Sequence, residues 1–202
     1  MDAILLRRVN RRQAQGMSGE LADLYVDSRA RSPHEAYRPS GRQDFLHRLT
    51  AEIRRPGFAM VIAETDGLVG GAFGFPVRGD RFWWPGSVTG PSPRGSERLT
   101  EPGGVLAITD ILVRPHPRDR HVARRLQERL LSDQHAALGA TLVDRFDHRA
   151  LAALRSWGWQ DVGEIWRPVS ATLLRMLVLR VGEQTAARPA GLAHGARTRG
   201  PR

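Results

Sequence analysis

The residues of this chain best suited to chemistry run from Ile111 through Leu112, Val113, Arg114, Pro115, His116, Pro117, Arg118, Asp119, Arg120, His121, Val122 and Ala123 to Arg124 and Arg125. An apolar, strand-like segment here passes through a turn with two prolines into a segment of helical spacing. The first backbone N–H groups of a helix have no partner within it and lie at the positive end of its dipole. Such a turn can hold a pyrophosphate, and Arg118, Arg120, Arg124 and Arg125 would add charge beside it. An ordinary strand-to-helix connection with solvated arginines has the same local composition.

Other chemistries have less to build on. Cysteine is absent, which excludes disulfides, thiolate nucleophiles and cysteine-ligated metals. None of the seven histidines is four residues from another, and His116 and His121 have only Asp119 nearby, so no metal site is expected. Neither a Gly-x-Ser-x-Gly sequence nor a phosphate-loop lysine occurs, which argues against a hydrolase or a nucleotide triphosphatase.

The net charge of +10 comes from 31 basic residues, every one an arginine. Clustered cations bind nucleic-acid backbones, but these arginines are scattered from Arg7 to Arg202 without interleaved stacking aromatics. A nucleic-acid partner is therefore the weaker expectation, and small anionic ligands fit better. No apolar run reaches the roughly 20 residues of a membrane span. The start, Met-Asp-Ala-Ile-Leu-Leu-Arg-Arg, reverses the order of a secretory signal, so a cytoplasmic protein without membrane contact is expected.

The elements that must position the basic turn follow from periodicity. Ala3 to Val9 reads as a strand, Gln13 to Arg31 as a helix, residues 32–41 as a loop and Asp44 to Ile53 as a second helix. Two apolar runs about Asp66-Gly67 predict a hairpin from Phe58 to Phe75. A long stretch to Gly104 carries Trp83 and Trp84, which could line a pocket or anchor a loop on the core. A strand over Gly104 to Val113, a helix over Asp119 to Ala137, a strand over Ala140 to Val143 and a helix over Arg149 to Trp157 should follow. Strands over Trp159 to Ile165 and Thr172 to Val181 complete the pattern. One mixed α/β domain over residues 1–181 results, with residues 182–202 too poor in large apolar side chains to join a core.

With these elements in order, the turn resembles the acyl-CoA-binding motif of the GNAT N-acetyltransferase family. That motif is a strand ending in Val-x-Pro, then Gln/Arg-x-x-Gly-x-Gly/Ala opening a helix. Arg118, Val122 and Ala123 match it, and His121 occupies the first glycine position. Two further segments resemble the same family: the hairpin Val61 to Gly70, and Asp147 to Trp159, similar to its Asn-x-x-Ala, Tyr and Gly-Phe signature. Together they cover roughly residues 3 to 181.

The resemblance implies a mixed, mostly antiparallel central sheet flanked by helices, the GNAT fold. It implies an N-acyltransferase that moves an acetyl or other acyl group from acyl-CoA, as cosubstrate, to a primary amine of a small molecule or peptide. Transfer would be direct, in a ternary complex, and a homodimer is compatible with it. The cosubstrate would lie along Ile111, Leu112 and Val113, with its diphosphate at Arg118, Asp119, Arg120, His121, Val122, Ala123 and Arg124, and its pantetheine near Asp147. A backbone N–H near Leu112 or Val113 would polarise the thioester carbonyl.

Asp110 is the first candidate to take the proton of an incoming ammonium, with a structural strand-edge role as the alternative. Glu64, just ahead of Asp66-Gly67, reads better as hairpin surface. Leu154 stands where the family carries a tyrosine that protonates the departing thiolate, and Ser156, two residues on, faces another way. The only tyrosines, Tyr25 and Tyr37, fall in the N-terminal helical region and read more simply as packing. A GNAT-fold module that binds acyl-CoA without turnover, and a basic nucleic-acid-binding protein, are the competing readings.

Overall fold

The side chain of Asn10 ends the first strand and opens the first helix. It accepts from the Gln13 backbone N–H at 2.9 Å, while the Gln13 side chain accepts from the Asn10 N–H at 3.0 Å. This reciprocal cap fixes where β1 (Leu5–Val9) gives way to α1 (Arg11–Gly16). The computed structural model describes residues 3–29, 39–77, 104–115, 121–167 and 172–182. The single helix expected over Gln13 to Arg31 is two, because a turn at Met17 separates α1 from α2 (Ser18–Arg29). Helix α3 (Pro39–Ile53) starts earlier than expected and takes in part of the anticipated loop. A proline in the first helical turn lacks an N–H that would have been unpaired there anyway.

The hairpin forms β2 (Ala59–Glu64) and β3 (Leu68–Val77). Then come β4 (Val105–Val113), α4 (Val122–Asp133), β5 (Leu138–Asp144), α5 (His148–Ser156), β6 (Gln160–Arg167) and β7 (Thr172–Arg180). Helix α4 stops before the expected Ala137, and His135 just beyond it has a left-handed φ of 50°. Trp83, Trp84, Tyr37 and the arginine-rich tail lie outside the described residues.

The strands form one seven-stranded sheet in the order β1-β2-β3-β4-β5-β7-β6. Every pairing is antiparallel except β4 with β5. The fold is thus the mixed, mostly antiparallel sheet flanked by helices that the resemblance implied. On one face α4 and α5 bury Val122, Leu126, Leu130, Leu151 and Leu154 against Val61, Ala63, Leu106, Ile108 and Leu177. On the other, α1 to α3 bury Leu21, Phe45 and Leu49 against Met60, Ile62, Phe73 and Leu112. Helix α4 lies close on β3 because Gly70 has no side chain: a Cβ there would stand 2.9 Å from Val122 and Leu126.

Strand β4 changes its facing midway. Phe73 pairs with Asp110 but the next residue, Gly74, pairs with Ile108, so Thr109 is an extra residue in β4. A bulge of this kind shifts the two-residue alternation by one. Before it, Leu106 and Ile108 face α4; after it, Ile111 and Val113 do, and Leu112 joins the α1 to α3 side. Gly74 permits the bulge, since a Cβ at that position would overlap the Ala107 carbonyl group.

Candidate active site

The parallel pairing of β4 with β5 is short. It joins Val105–Ile108 to Leu138–Thr141 and goes no further, although β4 continues to Val113 along β3 and β5 continues to Asp144 along β7. The two strands therefore part beyond Ile108 and Thr141. The Thr141 hydroxyl donates to the Ile108 carbonyl at 2.9 Å at the point of parting.

Strand alternation decides which backbone groups face this gap. The Arg114 N–H donates to the Val69 carbonyl of β3 at 2.9 Å, so Leu112 and Asp110, two and four residues back, also direct their backbone groups to β3. Ile111 and Val113 direct theirs the other way, into the gap, while their side chains pack against the α4 face of the core. Leu112, expected among the residues along the cosubstrate, is turned away: its amide faces β3 and its side chain is buried under α1 to α3.

The first turn of α4 lies beside the C-terminal end of β4. His121 stands at its N-cap in right-handed backbone (φ −94°, ψ −8°), so the histidine sits there without strain, and its side chain does not cap the first N–H groups. Val122 is fully buried and Ala123 is partly so. Arg124 turns along the helix, its Nε donating to Glu128 at 2.8 Å, and Arg125 reaches the Ile4 carbonyl at 3.4 Å. Two of the four arginines expected to add charge at the turn are thus engaged elsewhere. Arg118, Asp119 and Arg120 lie outside the described residues.

On the opposite face of the sheet the bulge turns the Asp110 side chain under α2 and α3. Its carboxylate, 7% exposed, is 3.4 Å from the Arg48 guanidinium, which is 43% exposed. Burial pushes the Asp110 carboxyl above its ordinary pKa, and Arg48 and Arg29 only partly oppose this. Glu52, one turn after Arg48, is also raised by burial, with Arg55 opposing and Asp110 reinforcing the shift. Its carboxylate pairs with the Arg55 Nε at 3.3 Å. Tyr25 stacks on Phe45 at 4.5 Å between ring centroids, with the Arg48 guanidinium 5.5 Å from its own. The packing role expected for Tyr25 therefore holds, yet that packing sets it beside Arg48, the partner of Asp110.

The second signature places its residues differently. Asp147 caps α5, accepting from the Ala150 N–H at 3.0 Å. Leu154 is 6% exposed within the core and has no proton to donate, and the Ser156 hydroxyl bonds the Ala153 carbonyl at 2.6 Å. Glu64 holds Arg7 on the hairpin surface through two contacts of 3.1 Å. Arg48 and Thr141 are not legible in the sequence because their partners, Asp110 and Ile108, are 62 and 33 residues away, and only the spacing of Arg48 and Glu52 on one helix face hints at a cluster. Among the described residues no group of three or more acidic or histidine side chains could hold a metal, and no helix is long and apolar enough to cross a membrane.

A scan against protein-family models and a search of curated proteins both found no match. Solved structures do match. A GNAT-family protein from Desulfovibrio desulfuricans superposes with a TM-score of 0.56 at 17% identity, over 89% of this chain and 100% of that one. NAA60 of Arabidopsis thaliana in complex with acetyl-CoA gives 0.57 at 12%, over 89% and 99%. An aminoglycoside N(6')acetyltransferase from Legionella pneumophila gives 0.60 at 10%, over 93% and 98%. At these identities the likeness is one of architecture: the chain has the GNAT acetyltransferase fold.

Proposed function

We propose that the protein is an acyl-CoA-dependent N-acyltransferase, acting on a primary amine of a small molecule or peptide within a ternary complex. The observation that carries this reading is the gap beyond Ile108 and Thr141, into which Ile111 and Val113 direct their amides while Asp110 stands on the far face of the same strand. The pantetheine arm fits along the open edge of β4, hydrogen-bonded to the backbone of Ile111 and Val113, with the diphosphate at the start of α4. Solved structures of the same fold hold acetyl-CoA or coenzyme A.

Of the two amides that face the gap, the Ile111 N–H, next to Asp110 and farther from the diphosphate end, is the donor suited to the thioester oxygen, since the Leu112 N–H faces β3. Asp110 takes a proton from the ammonium, a task its raised pKa favours. The freed amine then forms the C–N bond, the C–S bond breaks, and coenzyme A leaves as thiolate. Because Leu154 supplies no proton, the thiolate is protonated by solvent, while the nitrogen gives up its remaining excess proton to water. Holding the amine and thioester together supplies much of the acceleration.

The burial of Leu154 and the capping role of Asp147 favour one second reading, a module that binds acyl-CoA without turning it over. Calorimetry with acetyl-CoA tests both, for absence of binding at millimolar ligand refutes both. Thiol release across a panel of amines then separates an enzyme from a binding module. Residues 182–202 are proposed as a tail outside the catalytic domain, and the protein as cytoplasmic; deleting that tail should leave acetyl-CoA binding intact.

A further inference from the structure

One surface beside the proposed site has no part in the steps above. Arg29, at the end of α2, lies 4.9 Å from the centroid of the Tyr25 ring, and Arg48, on α3, lies 5.5 Å from the same centroid. The ring is fixed by its stacking on Phe45, so both guanidiniums rest on a rigid support and lose less freedom on binding than solvated arginines would. Arg7 and Arg42 hold carboxylates at 3.1 and 2.7 Å. Arg48 has one carboxylate in ion-pair reach among the described residues, Asp110 at 3.4 Å, and also engages Tyr25, while Arg29 is exposed, with no carboxylate in ion-pair reach among the described residues. The groups that interact here are the carboxylates of Asp110 and Glu52 and the guanidiniums of Arg29, Arg48 and Arg55, which leaves one positive charge over.

We propose that Arg29 and Arg48, supported on Tyr25, form an acceptor subsite for an anionic group, so that the preferred amine also carries a carboxylate or a phosphate. An amine of this kind matches the surface at both ends. Its ammonium meets the buried Asp110, and its anion meets guanidinium forks whose planar donors suit carboxylate and phosphate oxygens. The inference rests on the acyltransferase reading and adds its substrate class.

The test compares matched acceptors in an acetyl-CoA thiol-release assay: the common L-amino acids against their amides, and O-phosphoethanolamine against ethanolamine. At least one anionic acceptor should exceed its neutral counterpart tenfold or more in kcat/KM, chiefly through KM, and the pair with the larger ratio identifies the anion. Arg29→Gln should reduce that ratio at least fivefold and Arg29→Lys should restore most of it, with melting temperature and acetyl-CoA affinity held. Neutral amines that match or exceed their anionic partners throughout, or a ratio untouched in Arg29→Gln, overturn the subsite. If acetyl-CoA binds but no amine turns over, it is the enzyme reading that fails. Calorimetry of the same compounds on the protein saturated with coenzyme A then decides the subsite: binding of the anionic amine that Arg29→Gln abolishes supports it, and its absence overturns it.

Discussion

Thr141 donates its hydroxyl to the carbonyl of Ile108 at 2.9 Å, and these two residues are the last pair joining β4 to β5. The bond satisfies a buried acceptor where the ladder ends and the strands begin to part. Thr141→Val keeps the shape and removes the donor, so it should cost about 1–3 kcal/mol in urea unfolding, whereas Thr141→Ser should cost much less. Equal stability of all three proteins would show that the bond does not hold the vertex of the gap.

Asp110 should destabilise the fold at neutral pH while serving the reaction. Its carboxyl is raised by burial, so the folded protein binds that proton more tightly than the unfolded chain. Stability is therefore lost as pH rises from the ordinary carboxylate value through the raised folded value, and Glu52 acts with the same sign. Asp110→Asn removes this cost: its melting temperature should exceed that of the parent at pH 7, with the gap closing as pH falls toward about 4. Arg48, losing its partner, is exposed enough to be solvated. The same substitution should lower kcat/KM by about 10²–10⁴-fold, and the parent enzyme should lose activity as pH is lowered through the raised value. An unchanged rate would remove Asp110 from the mechanism.

Neighbouring residues of β4 should respond in opposite ways to proline. The Ile111 N–H faces the gap and bonds no strand, so Ile111→Pro should fold and lose acetyl-CoA affinity by more than tenfold. Leu112→Pro removes an N–H directed at β3 and a buried side chain, and should fail to fold. Circular dichroism and calorimetry check the pair. Undiminished affinity in Ile111→Pro would move the cosubstrate off this edge.

Two glycines should also part company. A methyl group on Gly74 would overlap the Ala107 backbone, which no rotamer change relieves, so Gly74→Ala should abolish the native melting transition. Gly41, within α3, has nothing within 4 Å of an added Cβ, and Gly41→Ala should stabilise by about 0.5–1 kcal/mol. A Gly74→Ala protein that melts normally would mean that the bulge at Thr109 is not needed.

Much of the architecture is legible locally. The hairpin about Asp66-Gly67, the apolar stripe Val122, Leu126 and Leu130, and the strand-to-helix passage after Val113 are each written in a short window, because turn chemistry and side-chain periodicity are short-range effects. Errors lie at element ends, as where α3 runs back to Pro39 and where α4 stops before Ala137.

The sequence by itself determined the mixed α/β order, the resemblance to the GNAT family, and Asp110 as the carboxylate to examine. Only the tertiary structure decided that Asp110 is buried beside Arg48, and that Ile111 and Val113 face the gap while Leu112 does not. The reason is physical. A single extra residue at Thr109 reverses the alternation of β4, and the partners it brings together are far apart along the chain, so no local pattern of residues encodes them.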